Sequence, residues 1–333
     1  MNSVVAVAHP NIALIKYWGK RDEVLHLPMT TSLSLTLREF PTTTRVTQRP
    51  DLTADHVTFA GARAPEAFAA RVSRFLDLVR ELSGDPRHAV VDTVNTVPTG
   101  AGLASSAAGF AALALAAGTA YGLDLDRRAL SRLARRGSGS ASRSVFGGFA
   151  VWWRGEDVGD AGDLSSFAEP IDAPLLDPAL VVALVDTREK TVPSREAMRR
   201  TMATSPFYPP WVAESARDLD RMRKALHEGD LATVGDIAEA NALGMHATML
   251  GARPAVRYFA PGTYRVLDRV LELRASGIGA WATMDAGPNV KVLCDSRDSA
   301  AVAAAVAEVV GGAARTVVTT AGPGAVVSDD GNR

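Results

Sequence analysis

The chain has 333 residues, 47% of them hydrophobic and 22% charged. That balance excludes wholesale disorder and, at roughly 150 residues per domain, suggests two packed units. Thirty-six basic side chains against 37 acidic ones leave a net charge of −1, which argues against a general nucleic-acid binder. The single cysteine, Cys294, sits in an apolar run and has no partner for an internal disulfide, so the fold is expected to rest on core burial and to suit a reducing compartment.

The apolar run over 4–8 is too short for a secretory h-region and lacks its basic flank, so it reads as a strand, and no targeting segment is expected. Further strands are predicted over 32–36, where apolar residues alternate around Leu33 and Leu35, and over 44–48 and 56–59. Phe68, Val72, Phe75, Val79 and Leu82 recur at helical spacing and predict a helix over 66–82, ended by Gly84. A strand over 89–97 then runs through a Gly-rich turn into the most apolar stretch, 107–120. That stretch is shorter than the ~20 residues that span a bilayer and reads as a buried helix. The protein is therefore expected to be soluble and cytoplasmic.

Asp126 is placed to cap a short helix carrying Leu130 and Leu133, a Gly/Ser-rich turn covers 137–144, and a strand covers 149–153. The polar stretch 154–178 reads as a loop or linker. Beyond it come a strand over 180–185, helices near 213–226, 231–250 and 263–275, a hairpin of 280–284 with 290–293, a helix over 299–310 and a last strand over 316–319. The polar tail 328–333 is expected to fray. Strands and helices mixed in both halves predict two α+β units.

Three segments carry chemistry. Pro98-Thr99-Gly100-Ala101-Gly102-Leu103-Ala104-Ser105-Ser106 lies between a strand and a helix, where glycines allow close backbone approach and a helix N-terminus offers free N–H groups to phosphate. It lacks the terminal Lys-Ser/Thr of a Walker loop and the glycine spacing of a dinucleotide fingerprint, and the residues alone leave plain capping open. In Gly137-Ser138-Gly139-Ser140-Ala141-Ser142-Arg143-Ser144, three hydroxyls precede an arginine whose planar fork suits a carboxylate. The segment runs straight into apolar Val145-Phe146, which argues against a flexible loop. Lys16-Tyr17-Trp18-Gly19-Lys20-Arg21 puts three cations and two aromatics in six residues at the end of an apolar run, which favours a site over a solvated turn.

These blocks, with Met284-Asp285-Ala286-Gly287-Pro288-Asn289-Val290 and a weaker one around Lys190 and Val192-Pro193-Ser194-Arg195-Glu196-Ala197-Met198, make the chain resemble the diphosphomevalonate decarboxylase family of the GHMP kinase superfamily over almost its whole length. The resemblance implies a two-domain α+β GHMP kinase fold. A domain like the second domain of ribosomal protein S5 would cover 1–180, and a ferredoxin-like domain 181–333. It implies ATP-dependent decarboxylation of (R)-5-diphosphomevalonate to isopentenyl diphosphate, ADP, phosphate and CO2 in the mevalonate pathway, through phosphorylation of the 3-hydroxyl, with ATP and Mg2+ in the interdomain cleft and Mg2+ held by phosphates and water rather than by a protein metal site. A homodimer is implied; nucleic acid and membrane are not.

Residue by residue, the resemblance makes Asp285, Arg143 and Lys16 catalytic, with Lys16, Tyr17 and Lys20 holding the diphosphate and Arg143 the carboxylate. It places Ser138, Ser140, Ser194, Arg195 and Met198, the last three in a further binding turn, on the substrate, and Gly100, Gly102, Ser105 and Ser106 on the ATP phosphates. The residues around Asp285 by themselves favour ordinary turn chemistry; only the resemblance lifts it into the site. Where the family usually has Asn, this chain has His26, which could donate one hydrogen bond or add a titrating charge. His246, within a helical pattern, reads as a core histidine. The rival readings are a phosphomevalonate decarboxylase, a mevalonate-type kinase that does not decarboxylate, and a non-enzymatic ATP-binding regulator.

Overall fold

A computed structural model describes residues 2–96, 105–156, 158–186, 188 and 191–328. In chain order the first half runs β1 (Ser3–Ala8), β2 (Asn11–Ile15), β3 (Lys20–Asp22), β4 (Leu27–Pro28), β5 (Ser32–Thr36), β6 (Thr42–Arg49), β7 (His56–Phe59) and β8 (Ala62–Arg63). It continues through α1 (Glu66–Ser83), β9 (His88–Asn95), α2 (Ser105–Ala120), α3 (Arg127–Gly137), a 3-10 helix at Gly139–Val145, β10 (Phe149–Trp152), α4 (Gly159–Ser165) and β11 (Ala168–Ile171). The second half runs β12 (Pro178–Ala183), α5 (Ser194–Thr204), α6 (Tyr208–Glu228), α7 (Leu231–Leu250), α8 (Pro261–Ala275), β13 (Trp281–Met284), β14 (Val290–Asp295), α9 (Ser299–Val310), β15 (Thr316–Thr320) and β16 (Val326–Val327).

The local signals behave as their chemistry requires. In α1, Val72, Phe75, Leu76 and Val79 form the buried stripe, and Gly84 closes the helix in the left-handed region with its N–H on the Arg80 carbonyl. The Asp126 carboxylate accepts from the Ala129 N–H at 2.7 Å and so starts α3. A sheet ordered β16-β1-β6-β9-β7-β8 packs on α1, α2 and α3, the Ala-rich face of α2 filling the space between them. Among the described residues no helix is long and apolar enough to cross a membrane.

Two further sheets carry the site: β11-β10-β5-β2 and β13-β14-β12-β15, each antiparallel throughout. They share one core, in which Ile12, Leu33, Leu35, Phe149 and Val151 of the first meet Leu180, Val182 and Leu293 of the second together with Met222, Leu226 and Ile237 of α6 and α7. Because β2 is buried along its whole length, its C-terminal end delivers Lys16 into the region between the halves.

Three expectations need correction. The stretch 154–178 is not a linker, since it forms α4 and the edge strand β11. The segment 137–144 is not a turn but the end of α3 and a 3-10 helix, buried as its run into Val145-Phe146 argued. Ser194, Arg195 and Met198 do not lie in a turn; they open helix α5 after Pro193. The chain's last described strand, β16, returns to pair with β1 of the first half, and Ser328 donates its N–H to the Val5 carbonyl.

Candidate active site

Asp285 follows β13 and is held between two lysines. Lys16 Nζ lies 2.8 Å from Oδ1 and Lys291 Nζ 3.3 Å from Oδ2, with both lysine side chains at least 98% buried and the Asp285 side chain 31% exposed. Burial alone would raise the carboxyl, but the two ammonium groups outweigh it and hold Asp285 well below the usual carboxylate range. The local turn is closed by backbone, Gly287 N–H to the Asp285 carbonyl at 2.7 Å, so the carboxylate is not consumed in turn-making. Lys16 also donates to the Ala13 carbonyl at 2.8 Å. Two of the three donors of its ammonium are thereby taken up at the Asp285 centre.

Arg143 is 2% exposed on the 3-10 helix. Its Nε and one terminal nitrogen donate to Asn11 Oδ1 at 3.2 and 3.1 Å, and the other terminal nitrogen to Ser32 Oγ at 2.6 Å. The Asn11 amide nitrogen in turn donates to Ser144 Oγ and the Ser140 carbonyl. Burial lowers the guanidinium to about 10, with Asp285 opposing the shift, so it stays charged at neutral pH. Gly139 must be glycine: a Cβ there would lie 2.8 Å from the Trp152 ring and 3.1 Å from the Tyr17 hydroxyl. The Tyr17 ring packs on Trp152 with centroids 4.8 Å apart, and its buried hydroxyl has no hydrogen-bond partner among the described residues. Buried polar groups are nearly always bonded, so this oxygen points to a ligand.

A second positive region adjoins the first. Lys20, largely buried, pairs with Glu23 at 3.0 Å and feels Arg195 and Arg71. Arg71 of α1 lies over Phe110 at 4.3 Å and donates to the Gly137 carbonyl at 2.8 Å. Burial, then Arg195 and Arg74, bring it down to about 10, with no carboxylate among its charged neighbours in the described residues. His26 is bonded through Nδ1 to the Arg135 carbonyl at 3.0 Å, so it supplies the hydrogen bond. Burial and Lys20 lower it to about 4, so at neutral pH it adds no charge.

Ser106, in the first turn of α2, has its hydroxyl 3.4 Å from that of Ser138, joining α2 to the serine segment. Gly100, Gly102, the Ser105 side chain and Lys190 lie outside the described residues. Met198 packs in the apolar cluster around Trp18, Tyr208 and Trp211, where it supports the Tyr17 segment. Ser194 stands by the Tyr258 hydroxyl, and the Ser140 carbonyl accepts from the Asn11 amide at 3.0 Å. Among the described residues no three His, Cys, Asp or Glu side chains gather as a metal site.

The family model for the diphosphomevalonate decarboxylase-like N-terminal domain matches residues 8–168, and that for the mevalonate 5-diphosphate decarboxylase C-terminal domain matches residues 180–326. The chain belongs to the diphosphomevalonate decarboxylase family. It is 33% identical over 316 residues to the diphosphomevalonate decarboxylase of Debaryomyces hansenii, covering 89% of this chain and 80% of that one. It is also similar to the mevalonate diphosphate decarboxylase of Staphylococcus aureus, at 38% identity and a TM-score of 0.94 over 98% of each chain. A solved complex of MDDEF with MVAPP, AMPPCP and magnesium is 45% identical, with a TM-score of 0.92 over 98% of each chain. The α+β architecture is thus the two-domain GHMP kinase fold of this family.

Several residues that build this family site escaped the sequence reading. Asn241 of α7 accepts from the Lys16 N–H at 2.9 Å and gives its amide to Ser215 Oγ and Asp218 Oδ2, each at 3.0 Å. A polar residue inside an apolar helical stripe was its one visible sign. Arg71 interrupts the apolar face of α1 without any motif around it. Lys291 had the clearest signal, a lone charge in the strand Val290-Lys291-Val292-Leu293-Cys294. His246 is the satisfied core histidine expected: it is 4% exposed and bonded through Nε2 to the Asp285 carbonyl at 3.1 Å.

Proposed function

We propose that the chain converts (R)-5-diphosphomevalonate and ATP to isopentenyl diphosphate, ADP, phosphate and CO2. The observation that carries this reading is a fixed carboxylate, Asp285, near a buried arginine, with Tyr17 between that arginine and a cationic region of Lys20, Arg71 and Arg195. That layout fits a substrate with a hydroxyl between a carboxylate and a diphosphate. Arg143 takes the carboxylate. Lys20, Arg195 and Arg71 take the diphosphate, and the Tyr17, Ser138 and Ser140 hydroxyls border it. Ser194 and Met198 shape the wall formed by α5.

Asp285 accepts a hydrogen bond from the 3-hydroxyl and orients its oxygen toward the γ-phosphorus. A new O–P bond forms as the bond to ADP breaks. The C3–O bond then breaks with loss of phosphate, and the electron pair of the C1–C2 bond becomes the C2–C3 double bond as CO2 leaves. Positive charge grows at C3 in that step, and the Asp285 carboxylate stabilises it. Phosphate oxygens face Ser105 and Ser106 with Gly100 and Gly102. Mg2+ neutralises phosphate charge when bound, and the Ser106 hydroxyl is the described donor that suits it.

The division 1–180 and 181–333, a cytoplasmic location and a homodimer complete the proposal, the last open to light scattering. The decisive assay offers mevalonate, its 5-phosphate and its 5-diphosphate with ATP, and scores CO2 and product by mass. Decarboxylation of the diphosphate supports the reading. Turnover of the monophosphate alone, or phosphorylation without CO2, would replace it by one of the rival readings.

A further inference from the structure

Lys291 is the second residue of the interior strand β14, opposite Val182 of β12 and Thr283 of β13, and is 1% exposed. A charge in such a position costs several kcal/mol unless it is paired. Its Nζ stands 3.3 Å from Asp285 Oδ2, while Lys16 takes Oδ1 at 2.8 Å. With a separate cation on each oxygen the carboxylate cannot turn about its last torsion. Its main chain is fixed as well, by His246 Nε2 on the Asp285 carbonyl. The groups facing Asp285 are therefore Lys16 at the end of β2, Lys291 of β14, His246 of α7, which burial keeps neutral at about 3, and Arg143 of the 3-10 helix.

We propose that Lys291 is a positioning residue of the reaction, whose ammonium pins Oδ2 of Asp285 so that the carboxylate presents a fixed lone pair and a standing negative charge to the substrate hydroxyl. The proposal rests on the reading that the 3-hydroxyl sits at Asp285. It also redistributes the proton. A carboxylate bound by two cations accepts the hydroxyl's hydrogen bond but is a weaker base than a phosphate oxygen, whose second pKa is about 6. As the hydroxyl oxygen bonds to the γ-phosphorus and ADP leaves, the proton passes to a phosphate oxygen, and Asp285 remains an anion for the decarboxylation step.

A purely structural role makes a different forecast. A buried ion pair is weak evidence for stability; removing one partner destabilises chiefly when it strands the other charge, and here the remaining carboxylate keeps a second cation. Lys291→Met leaves Asp285 paired with Lys16 and should fold. Its kcat for the diphosphate substrate should fall about 100-fold, the order expected when a reacting group loses its alignment, with KM within about threefold. Lys291→Arg restores the charge and should recover at least about tenfold of that loss. A folded Lys291→Met that turns over within about threefold of the wild type overturns the proposal, as does equal impairment of the Met and Arg variants. If Lys291→Met does not fold, Lys291→Gln takes its place in the comparison. Failure of both neutral variants to fold makes Lys291 structural and also overturns it. Wild-type turnover, measured alongside, tests the function itself, so the two failures are distinguishable.

Discussion

Asp285 stands in a sequence made for turns, yet its side chain takes no part in the turn, and its substitution should separate the two roles. Asp285→Asn keeps local turn chemistry but removes the anion between two buried lysines. Turnover should fall at least ~100-fold while affinity for the diphosphate substrate changes little, because Lys20, Arg71 and Arg195 are untouched. The variant should also lose stability. Lys16 is already held below its ordinary value by burial, with Asp285 opposing that shift, so without Asp285 its folded pKa drops further below the unfolded value of about 10.4. The folded form then binds fewer protons than the unfolded one, so the loss is greatest near neutral pH and shrinks as pH rises toward 10. Thermal melts at pH 7 and 9.5, set against the wild type, check the sign. Arg143→Lys keeps a charge but gives up the simultaneous bonds to Asn11 and Ser32. Its turnover should drop by about 100-fold with ATP affinity nearly unchanged; equal loss of nucleotide binding would move Arg143 to the ATP.

At the scale of elements, most helices and strands were legible because one face of each is apolar at its own period, as in α1 and in β9, where Ala89 and Val91 turn inward. The misses have physical causes. β11 contains Pro170 and survives because it is an edge strand, and α4 is built from Gly, Asp and Ser, poor helix formers that only tertiary contact holds. The site blocks could be read along the chain, but Asn241, Arg71 and Lys291 act across 225, 66 and 6 positions of sequence separation, respectively, and single-chain spacing carries no such information. The β3–β4 hairpin illustrates a substitution that local physics tolerates. His26 sits at φ 55°, a region that His, Asn and Asp enter more readily than other side chains. Its folded pKa of about 4 lies below the unfolded ~6.5, so the unfolded chain holds the extra proton and stability is lost as pH falls through that interval. His26→Asn removes this term. Relative to wild type the variant should gain about 2 kcal/mol at pH 4.5 compared with pH 7.5, read from urea midpoints at both pH values. A difference independent of pH would mean that His26 is not held neutral.

The molecule as a whole is two sequence units with one continuous core between them. Ile12, Leu33 and Phe149 from one half and Leu180, Leu219 and Ile237 from the other belong to the same buried cluster. The C-terminal segment then crosses back: Gly322 packs against the Leu37 carbonyl so closely that a Cβ would collide, Ala325 is fully buried, and β16 covers the edge of β1. Arg127 locks the crossing by donating to the Val145 and Ala325 carbonyls at 3.0 and 2.8 Å. Each half has a cluster of its own, but neither can bury the shared one alone, so unfolding should be a single cooperative event despite a length that often gives intermediates. Tryptophan fluorescence and far-UV circular dichroism should give coincident urea transitions. Removing the segment after Ala321 exposes the β1 edge and the Arg127 guanidinium together. It should lower the melting temperature by several degrees, at roughly 2–4 °C per kcal/mol for a chain of this class, and promote aggregation through the uncovered strand. Two separated transitions in the intact chain would show that the shared cluster does not couple the halves, and the site between them would then open without global unfolding.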